Sequence, residues 1–259
     1  MKKLIPFILA ISIFALAGCD LILKETVTGS AALATVSLTD AAFSRVKAAD
    51  ACRAVITYGS VNSASVTINE NLVHYLRLEA EAGELSLSLD PSFNYRQLTF
   101  TAEITLPEIE RATADDATEI TITGFSNVVA LDCRASDASL ITLESMDAAD
   151  LVLRARDASA VAGSLACQTL AVYLDDASTA TLSGTAPELT LNMDDACNAY
   201  LGALATENAA VALSDACNAR IHVTETLTGS VTNASQLRYA GSPLTVTVSR
   251  SDASTVTEE

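Results

Sequence analysis

Tryptophan is absent from this 259-residue chain, and aromatic residues make up only 5% of it. Compact globular cores lean on large aromatic side chains to fill volume. A thin, repetitive core of small and branched aliphatics is therefore expected. Basic residues are scarce as well: 15 Lys and Arg stand against 32 Asp and Glu, for a net charge of -17. Such a chain repels nucleic-acid phosphates and anionic lipid headgroups. It leaves cations, basic proteins and neutral glycans as partners, and the charge also keeps long β surfaces soluble. Only two histidines occur, His74 and His222, in unrelated contexts. No Cys-x-x-Cys, Gly-x-Ser-x-Gly, phosphate loop or dinucleotide fingerprint is present. The sequence thus offers no catalytic residue, no cofactor-binding residue and no metal-ligand set.

What is abundant is Ala, Val, Leu and Ile in a background of Thr, Ser and Asp. β-branched residues in such a background favour strands. The first residues follow a different grammar. Met1-Lys2-Lys3 is a short positive stretch, and Leu4 to Ala15 is an apolar run too short to span a bilayer comfortably. Leu16-Ala17-Gly18-Cys19 then resembles the bacterial lipobox at every position. That resemblance implies cleavage before Cys19, acylation of its thiol and amine, and attachment to a membrane through the lipid. Several acyl chains give stable anchoring, at about 0.8 kcal/mol per buried methylene. Losing Lys2 and Lys3 leaves 13 basic residues against 32 acidic ones, or -19.

The main signal is internal repetition. Asp-Ala followed by Thr, Ser or Cys begins at Asp116, Asp137, Asp157, Asp176, Asp195, Asp215 and Asp252, and Asn233-Ala234-Ser235 fills the remaining place, at intervals of 18 to 21 residues. Asp50-Ala51-Cys52 is an earlier copy. Alternating apolar residues flank each copy, such as Leu170, Val172 and Leu174 before Asp176, and Ala180 and Leu182 after it. Alternation at period two marks a strand with one buried face. Gly124, Gly163, Gly184, Pro187, Gly202 and Gly229 are expected to supply the other turns. Two short strands cannot bury a face alone, whereas identical units stacked in parallel can. An antiparallel sandwich would not need one residue pair at every corner. Ile122, Leu143, Leu182, Leu201 and Ile221 should form an inward ladder. Strands at 65–68, 75–79, 85–89 and 98–106 lack the repeat and are expected to be longer, capping rungs.

Strict alternation would bury the corner Asp beside Leu174 and Leu182, at a cost of several kcal/mol per unpaired charge. The corner should therefore break phase. One residue leaves the β region, the Asp points outward and the Ala packs in the bend. Asp and Asn suit that place because they tolerate left-handed backbone. Repulsion should win along the middle of the ladder, around Asp176, Asp195 and Asp215, and raise the folded pKa of its central carboxylate, Asp195. Stacked carboxylates also suit calcium, but no unit carries the Gly-rich nonapeptide of calcium-binding β-rolls, and a structural corner is the preferred reading. The pairs Asp115-Asp116, Asp175-Asp176 and Asp194-Asp195 are like those of glycosidases, yet they recur where an active site would be singular. Beyond Cys19 the cysteines are Cys52, Cys133, Cys167, Cys197 and Cys217, an odd number that excludes full pairing within one mature chain. Cys197 and Cys217 hold the same place in adjacent units. Parallel neighbours about 4.8 Å apart point their side chains the same way, which disfavours a bond.

Three further stretches carry a family likeness: Asn69-Glu70-Asn71-Leu72, Thr105-Leu106-Pro107-Glu108-Ile109, and Leu237-Arg238-Tyr239-Ala240-Gly241-Ser242-Pro243. Together with the repeat, over about residues 43–254, they make the chain resemble the putative auto-transporter adhesin family with the head GIN domain. The resemblance implies a single-stranded right-handed β-helix and a role in adhesion, and it carries over no functional residues. The family's usual corner is Ser-Gly-Ser, and here Asp stands for the Gly.

The reading is then an all-β, single-stranded right-handed parallel β-helix (a solenoid) with rungs of about 20 residues. Its expected organisation is a lipoprotein signal peptide at 1–18, a lipidated tether at 19–36 and the β-helix at 37–259, regular from about 112. The expected function is a non-enzymatic cell-envelope lipoprotein, an adhesin or a binding or structural surface protein facing the periplasm or exterior. Its partners would be the membrane, through the lipid anchor, and a glycan or protein ligand. The alternative is a polysaccharide lyase or hydrolase on the same scaffold.

Overall fold

The computed structural model describes residues 24–39 and 41–259. Cys19 and the signal segment lie outside the described residues. From Arg111 onward the architecture is the expected right-handed β-helix. Arg111–Ala114 pairs in parallel with 132–135, which pairs with 152–155, which pairs with 171–174, one repeat at a time. The strands after the corner stack likewise, 119–123 on 140–144 and 140–143 on 160–163. The ladder of Ile122, Leu143, Leu182, Leu201 and Ile221 is buried throughout. Gly163 stands between Leu143 and Leu182 in that register.

The corners explain the repeat. In all eight Asp-Ala copies, and at Asn233-Ala234, both residues take positive φ, between 50° and 63°. Two left-handed residues in succession swing the chain round, so the expectation that one residue leaves the β region falls short by one. The Ala does not pack in the bend either: Ala117, Ala138, Ala177 and Ala196 are exposed, beside exposed Asp116, Asp137, Asp176 and Asp195. Turning both side chains outward lets each Ala N–H reach the Asp carbonyl of the next coil, as from Ala158 to Asp176 at 2.8 Å.

The third corner residue packs inside instead. Thr118, Ser139, Ser159, Ser178, Cys197, Cys217 and Ser235 are all buried. Each side chain from Ser139 onward accepts the backbone N–H of its counterpart one coil earlier: Ser139 Oγ from Thr118 and Ser159 Oγ from Ser139 at 3.0 Å, then Ser178, Cys197, Cys217 and Ser235 at 3.1 to 3.3 Å. The left-handed turn carries these amides away from the sheet ladder. A small acceptor side chain is what keeps them satisfied in an apolar interior. That requirement accounts for the restriction to Thr, Ser and Cys.

At the opposite bend Gly124, with φ 80°, and Pro187 lie between strands as expected of turn residues, and the other four glycines do not. Gly163, Gly184, Gly202 and Gly229 lie within the strands Ala160–Leu174, Thr179–Thr185, Asn198–Leu213 and Asn218–Val231. The chain bends there by shifts of register, as between Leu143 and Met146. Gly229 has φ 134°, and a Cβ on it would stand 1.8 Å from the Val211 carbonyl oxygen. Close approach of backbone to backbone, rather than a turn, requires glycine at that point.

The N-terminal end is not a simple continuation. Arg45–Ala48 and Arg53–Tyr58 form a coil about Asp50-Ala51 that stacks directly on 111–114 and 119–123. On its far side lie 84–87 and 101–106, also parallel. The coil later in sequence is thus the outer one in space. Three antiparallel pairings then close the end: Leu33–Thr39 with Ser63–Asn69, 63–68 with 100–105, and Leu76–Glu81 with Glu84–Leu89. The capping role holds; the parallel rungs expected over the whole of 37–110 do not. An end coil leaves a row of unpaired backbone groups, and returning strands cover it.

Asn69 and Asn71 tie this cap together. Asn69 accepts from Thr99 and donates to Ser30, both at 2.7 Å, while Asn71 accepts from Ser30 at 2.8 Å and donates to Thr28 at 2.9 Å. Thr26–Thr28 pairs with Asn94–Arg96. Ordered strands therefore begin inside the stretch read as a tether, and the boundary at residue 37 falls too late. No helix among the described residues is long and apolar enough to cross a membrane.

Candidate functional site

On the strand leading into each corner, the third and fifth residues before the Asp point outward. Down the third-residue column stand Lys47, Thr113, Arg134, Arg154, Tyr173 and Asn192, each opposite the next in register. Down the fifth stand Arg45, Arg111, Asp132 and Val152. Arg156 is next to the corner on the same coil as Arg154. Six of the 13 basic residues that would follow Cys19 thus gather on four consecutive coils of a strongly acidic chain.

Asp132 organises this face. Its carboxylate takes hydrogen bonds from Arg134 Nε at 2.9 Å and Nη2 at 2.6 Å, and from Arg154 Nη1, with Arg111 Nε 3.3 Å away. Partial burial would raise its pKa, but the hydrogen bonds from Arg134 and the charges of Arg154, Arg134 and Arg111 outweigh that and hold it below the usual carboxylate range. One negative charge thus fixes three guanidinium groups and leaves an excess of positive charge. The Arg154 guanidinium also lies 5.1 Å from the centre of the Tyr173 ring, which is 39% exposed.

Beside these residues runs a groove of about 720 Å³, with Arg134, Arg154, Tyr173 and Asn192 among its lining and Asp115, Asp175 and Asp194 toward the corner. A second hollow of about 810 Å³ adjoins it beyond Asp132, lined by Tyr58, Phe125, Val128 and Val129 together with Glu108, Glu110 and Asp150. Tyr58 and Phe125 pack edge to face there at 5.9 Å.

The residue pairs weighed for catalysis separate. Asp115, Asp175 and Asp194 border the groove, whereas Asp176 and Asp195 line the outer side of the corner with Asp215. Oxygens of Asp175, Asp194 and Asp195, and those of Asp115, Asp116 and Asp137, still come within 4.8 Å of one another. Asp194 accepts from Ser214 Oγ at 2.6 Å, which lowers its pKa, while the charge of Asp194, then Asp176 and Asp215, raises that of Asp195. His74 is in the cap segment Glu70–Tyr75 and His222 in Asn218–Val231, among the last coils. Cys52, Cys133, Cys167, Cys197 and Cys217 are free and buried. Burial pushes the thiol of Cys52 up to about 12 and that of Cys167 up to about 11. Such thiols are poor nucleophiles.

The arginine face was not singled out from composition, because net charge averages over the surface. A signal existed nonetheless: the third residue before successive corners is Lys47, Thr113, Arg134, Arg154, Tyr173 and Asn192. Reading the repeat by column rather than by row exposes it.

No curated protein matches the chain. Among the solved structures that share the fold are three from Parabacteroides. A putative lipid binding protein from Parabacteroides distasonis is 13% identical, covering 91% of this chain and 100% of its own, with a TM-score of 0.85. A putative adhesin from the same species is 17% identical over 91% and 100%, with a TM-score of 0.80. A putative adhesin from Parabacteroides merdae is 18% identical over 91% and 99%, with a TM-score of 0.78. At these identities the likeness is one of fold. The family model described as "Putative auto-transporter adhesin, head GIN domain" matches residues 42–243, most of the chain, and the chain belongs to that family.

Proposed function

We propose that the chain is a non-enzymatic lipoprotein of the cell envelope, acylated at Cys19, which presents the arginine face of its β-helix to a binding partner. The observation that carries this reading is the gathering of Arg45, Lys47, Arg111, Arg134, Arg154 and Arg156 on consecutive coils of an otherwise acidic solenoid. Arg45 also donates to the Ala82 carbonyl, but no backbone requirement explains the other five, unlike the Asp of the corners. A rigid sheet holds their side chains in fixed spacing, which lowers the cost of ordering them on binding. The family's description as an adhesin supports the same reading. The order of charged, apolar and small residues before Cys19 supports the anchor.

A lipid ligand, as in the description of one solved structure, would look to the hollow beside Tyr58 and Phe125. Glu108, Glu110, Asp132 and Asp150 rim that hollow and oppose an anionic headgroup. A polysaccharide-cleaving enzyme would need a general acid and base aimed into one groove, and the corner carboxylates recur along the stack instead.

Two measurements test the proposal. Metabolic labelling with a palmitate analogue should mark the wild type and not Cys19→Ala, which should leave the membrane fraction. An unacylated Cys19 in the mature protein removes the anchor. Cells displaying the wild type should bind immobilised ligand arrays better than cells displaying Arg134→Gln/Arg154→Gln. Equal binding removes the arginine face.

A further inference from the structure

The composition of the arginine face narrows its ligand, on the reading that this face is the binding one. The lining changes character along the helix axis. Arg134 and Arg154 occupy adjacent coils, Tyr173 the next and Asn192 the one after. Successive coils are about 4.8 Å apart, so cation, cation, aromatic ring and amide stand in a line of roughly 15 Å. Next to the corner the lining reads Asp115, Ser136, Arg156, Asp175 and Asp194, so the carboxylates flank Thr113, Tyr173 and Asn192 while the arginine coils carry Ser136 and Arg156 there. Ala212 and Ser214 continue it into neutral, small residues.

Each class of anion meets this arrangement differently. A membrane surface is broad, and it would meet Asp115, Asp175, Asp194 and the corner ladder as soon as it met the arginines. A single-stranded nucleic acid carries a phosphate on every unit and needs an unbroken cationic track. Here the track ends at Arg154. A narrow chain with sparse anionic groups separated by neutral, hydroxyl-rich units fits every position. Its carboxylate takes two parallel hydrogen bonds from a planar guanidinium. Its next unit lays an apolar ring face on Tyr173. Its hydroxyls exchange hydrogen bonds with the Asn192 amide.

We infer that the groove from Arg134 to Asn192 binds an extended segment of an acidic glycan, with an anionic sugar on Arg134 and Arg154 and a following sugar stacked on Tyr173. Asp132 is the positioning residue, since it fixes both guanidinium planes without facing the ligand's neutral part. Composition left cations, basic proteins and neutral glycans as partners; the register of the coils adds an acidic partner for this one face.

Calorimetry on the full chain in detergent tests the inference with defined soluble probes: hyaluronan and unsulfated chondroitin oligosaccharides, in which a carboxylate sugar alternates with a neutral one, their carboxyl-reduced forms, and oligodeoxythymidylate. Vesicles of phosphatidylglycerol are tested with the chain reconstituted in neutral phosphatidylcholine liposomes instead. At least one acidic oligosaccharide should bind saturably, and less tightly as salt rises. The carboxyl-reduced form should bind at least about tenfold more weakly than its parent. Arg134→Gln/Arg154→Gln should weaken the bound oligosaccharide about tenfold or more, and Tyr173→Ser about fivefold. Arg134→Lys/Arg154→Lys, which keeps the charge and loses the planar fork, should fall between. It also serves if the Gln pair fails to fold. Arg238→Gln, on the other side of the corner, should bind as the wild type does. The inference is overturned if no acidic oligosaccharide binds, if binding ignores the Arg134 and Arg154 variants, or if Arg238→Gln abolishes it. Arg134-dependent binding of the vesicles or the oligodeoxythymidylate alone would assign the face to a membrane or to nucleic acid instead. Failure on these terms leaves the Cys19 labelling result untouched.

Discussion

The corner edge and the strand face beside it are both charged, both repeat with the coil and both point outward. Their charges nevertheless answer to different constraints. At the corner, Asp116, Asp137, Asp157, Asp176, Asp195 and Asp215 stack like on like, and each has positive φ. Asn233 takes the same conformation without the charge, with its Nδ2 donating to Asp215 at 3.0 Å. The backbone selects these residues, and repulsion is tolerated because they are exposed. On the face, opposite charges interlock around Asp132 in ordinary strand conformation. On a solenoid, a repeated charge with a conformational reason carries little functional information, and a local charge without one carries much.

Variants can sharpen that contrast. The largest effect is expected inside the corner. Ser159→Ala removes the acceptor of the Ser139 amide without adding volume to the buried site, and it should destabilise by about 2 kcal/mol. Cys197→Ser, which restores an oxygen acceptor, should stay within about 1 kcal/mol of the wild type. Urea midpoints read both, and equal losses would remove the claim that the third corner residue is chosen as an acceptor. Ala177→Gly should stabilise by about 1 kcal/mol, because glycine bears left-handed backbone at no steric cost. If it destabilises, the corner is not strained.

Asp132→Asn moves the comparison to the face and should cost about 1 kcal/mol at neutral pH. The folded pKa of Asp132 is depressed, so its contribution is present above the unfolded value and is lost as pH falls through the folded one. The wild type and Asp132→Asn should therefore converge in acid melts. Parallel curves down to that range would show that the carboxylate does not clamp the arginines.

The smallest effect belongs to the corner charge. The folded pKa of Asp195 is raised, so stability is fully present below its unfolded value and is lost as pH rises through the folded one. Asp195→Asn should be neutral or slightly stabilising at pH 7, with a melting temperature that millimolar calcium leaves unchanged. A calcium-dependent rise in the wild type that Asn abolishes would make the ladder a metal site.

Much of this was readable beforehand, for physical reasons. Period-two alternation on both sides of each Asp-Ala fixed which residues face inward, and Ile122, Leu143, Leu182, Leu201 and Ile221 are buried accordingly. The phase break at the corner followed from the cost of burying charge. That both corner residues would be left-handed did not, because Ala has no known liking for that conformation; the need shows only once the amide of the third residue is seen to require a side-chain acceptor. The cap escaped because alternation identifies a strand without saying whether its neighbour is parallel. Nothing in 63–69 or 76–81 differs in pattern from a parallel rung. The arginine face depends on register between residues as far apart as Lys47 and Thr113, across an inserted cap.

That insertion has a kinetic consequence. Beyond residue 111 each coil contacts neighbours about one repeat away, so contacts there close short loops. The coil at 45–58 has no such neighbour: one flank waits for 84–106 and the other for 111–123. Loop closure of that length is slow relative to zipping adjacent repeats. The regular coils should therefore condense first and serve as a template, and the amino-terminal end should close last. During synthesis from the amino terminus, the part made first would be the part finished last, and it would stay open to proteases or chaperones until residues past 111 had emerged.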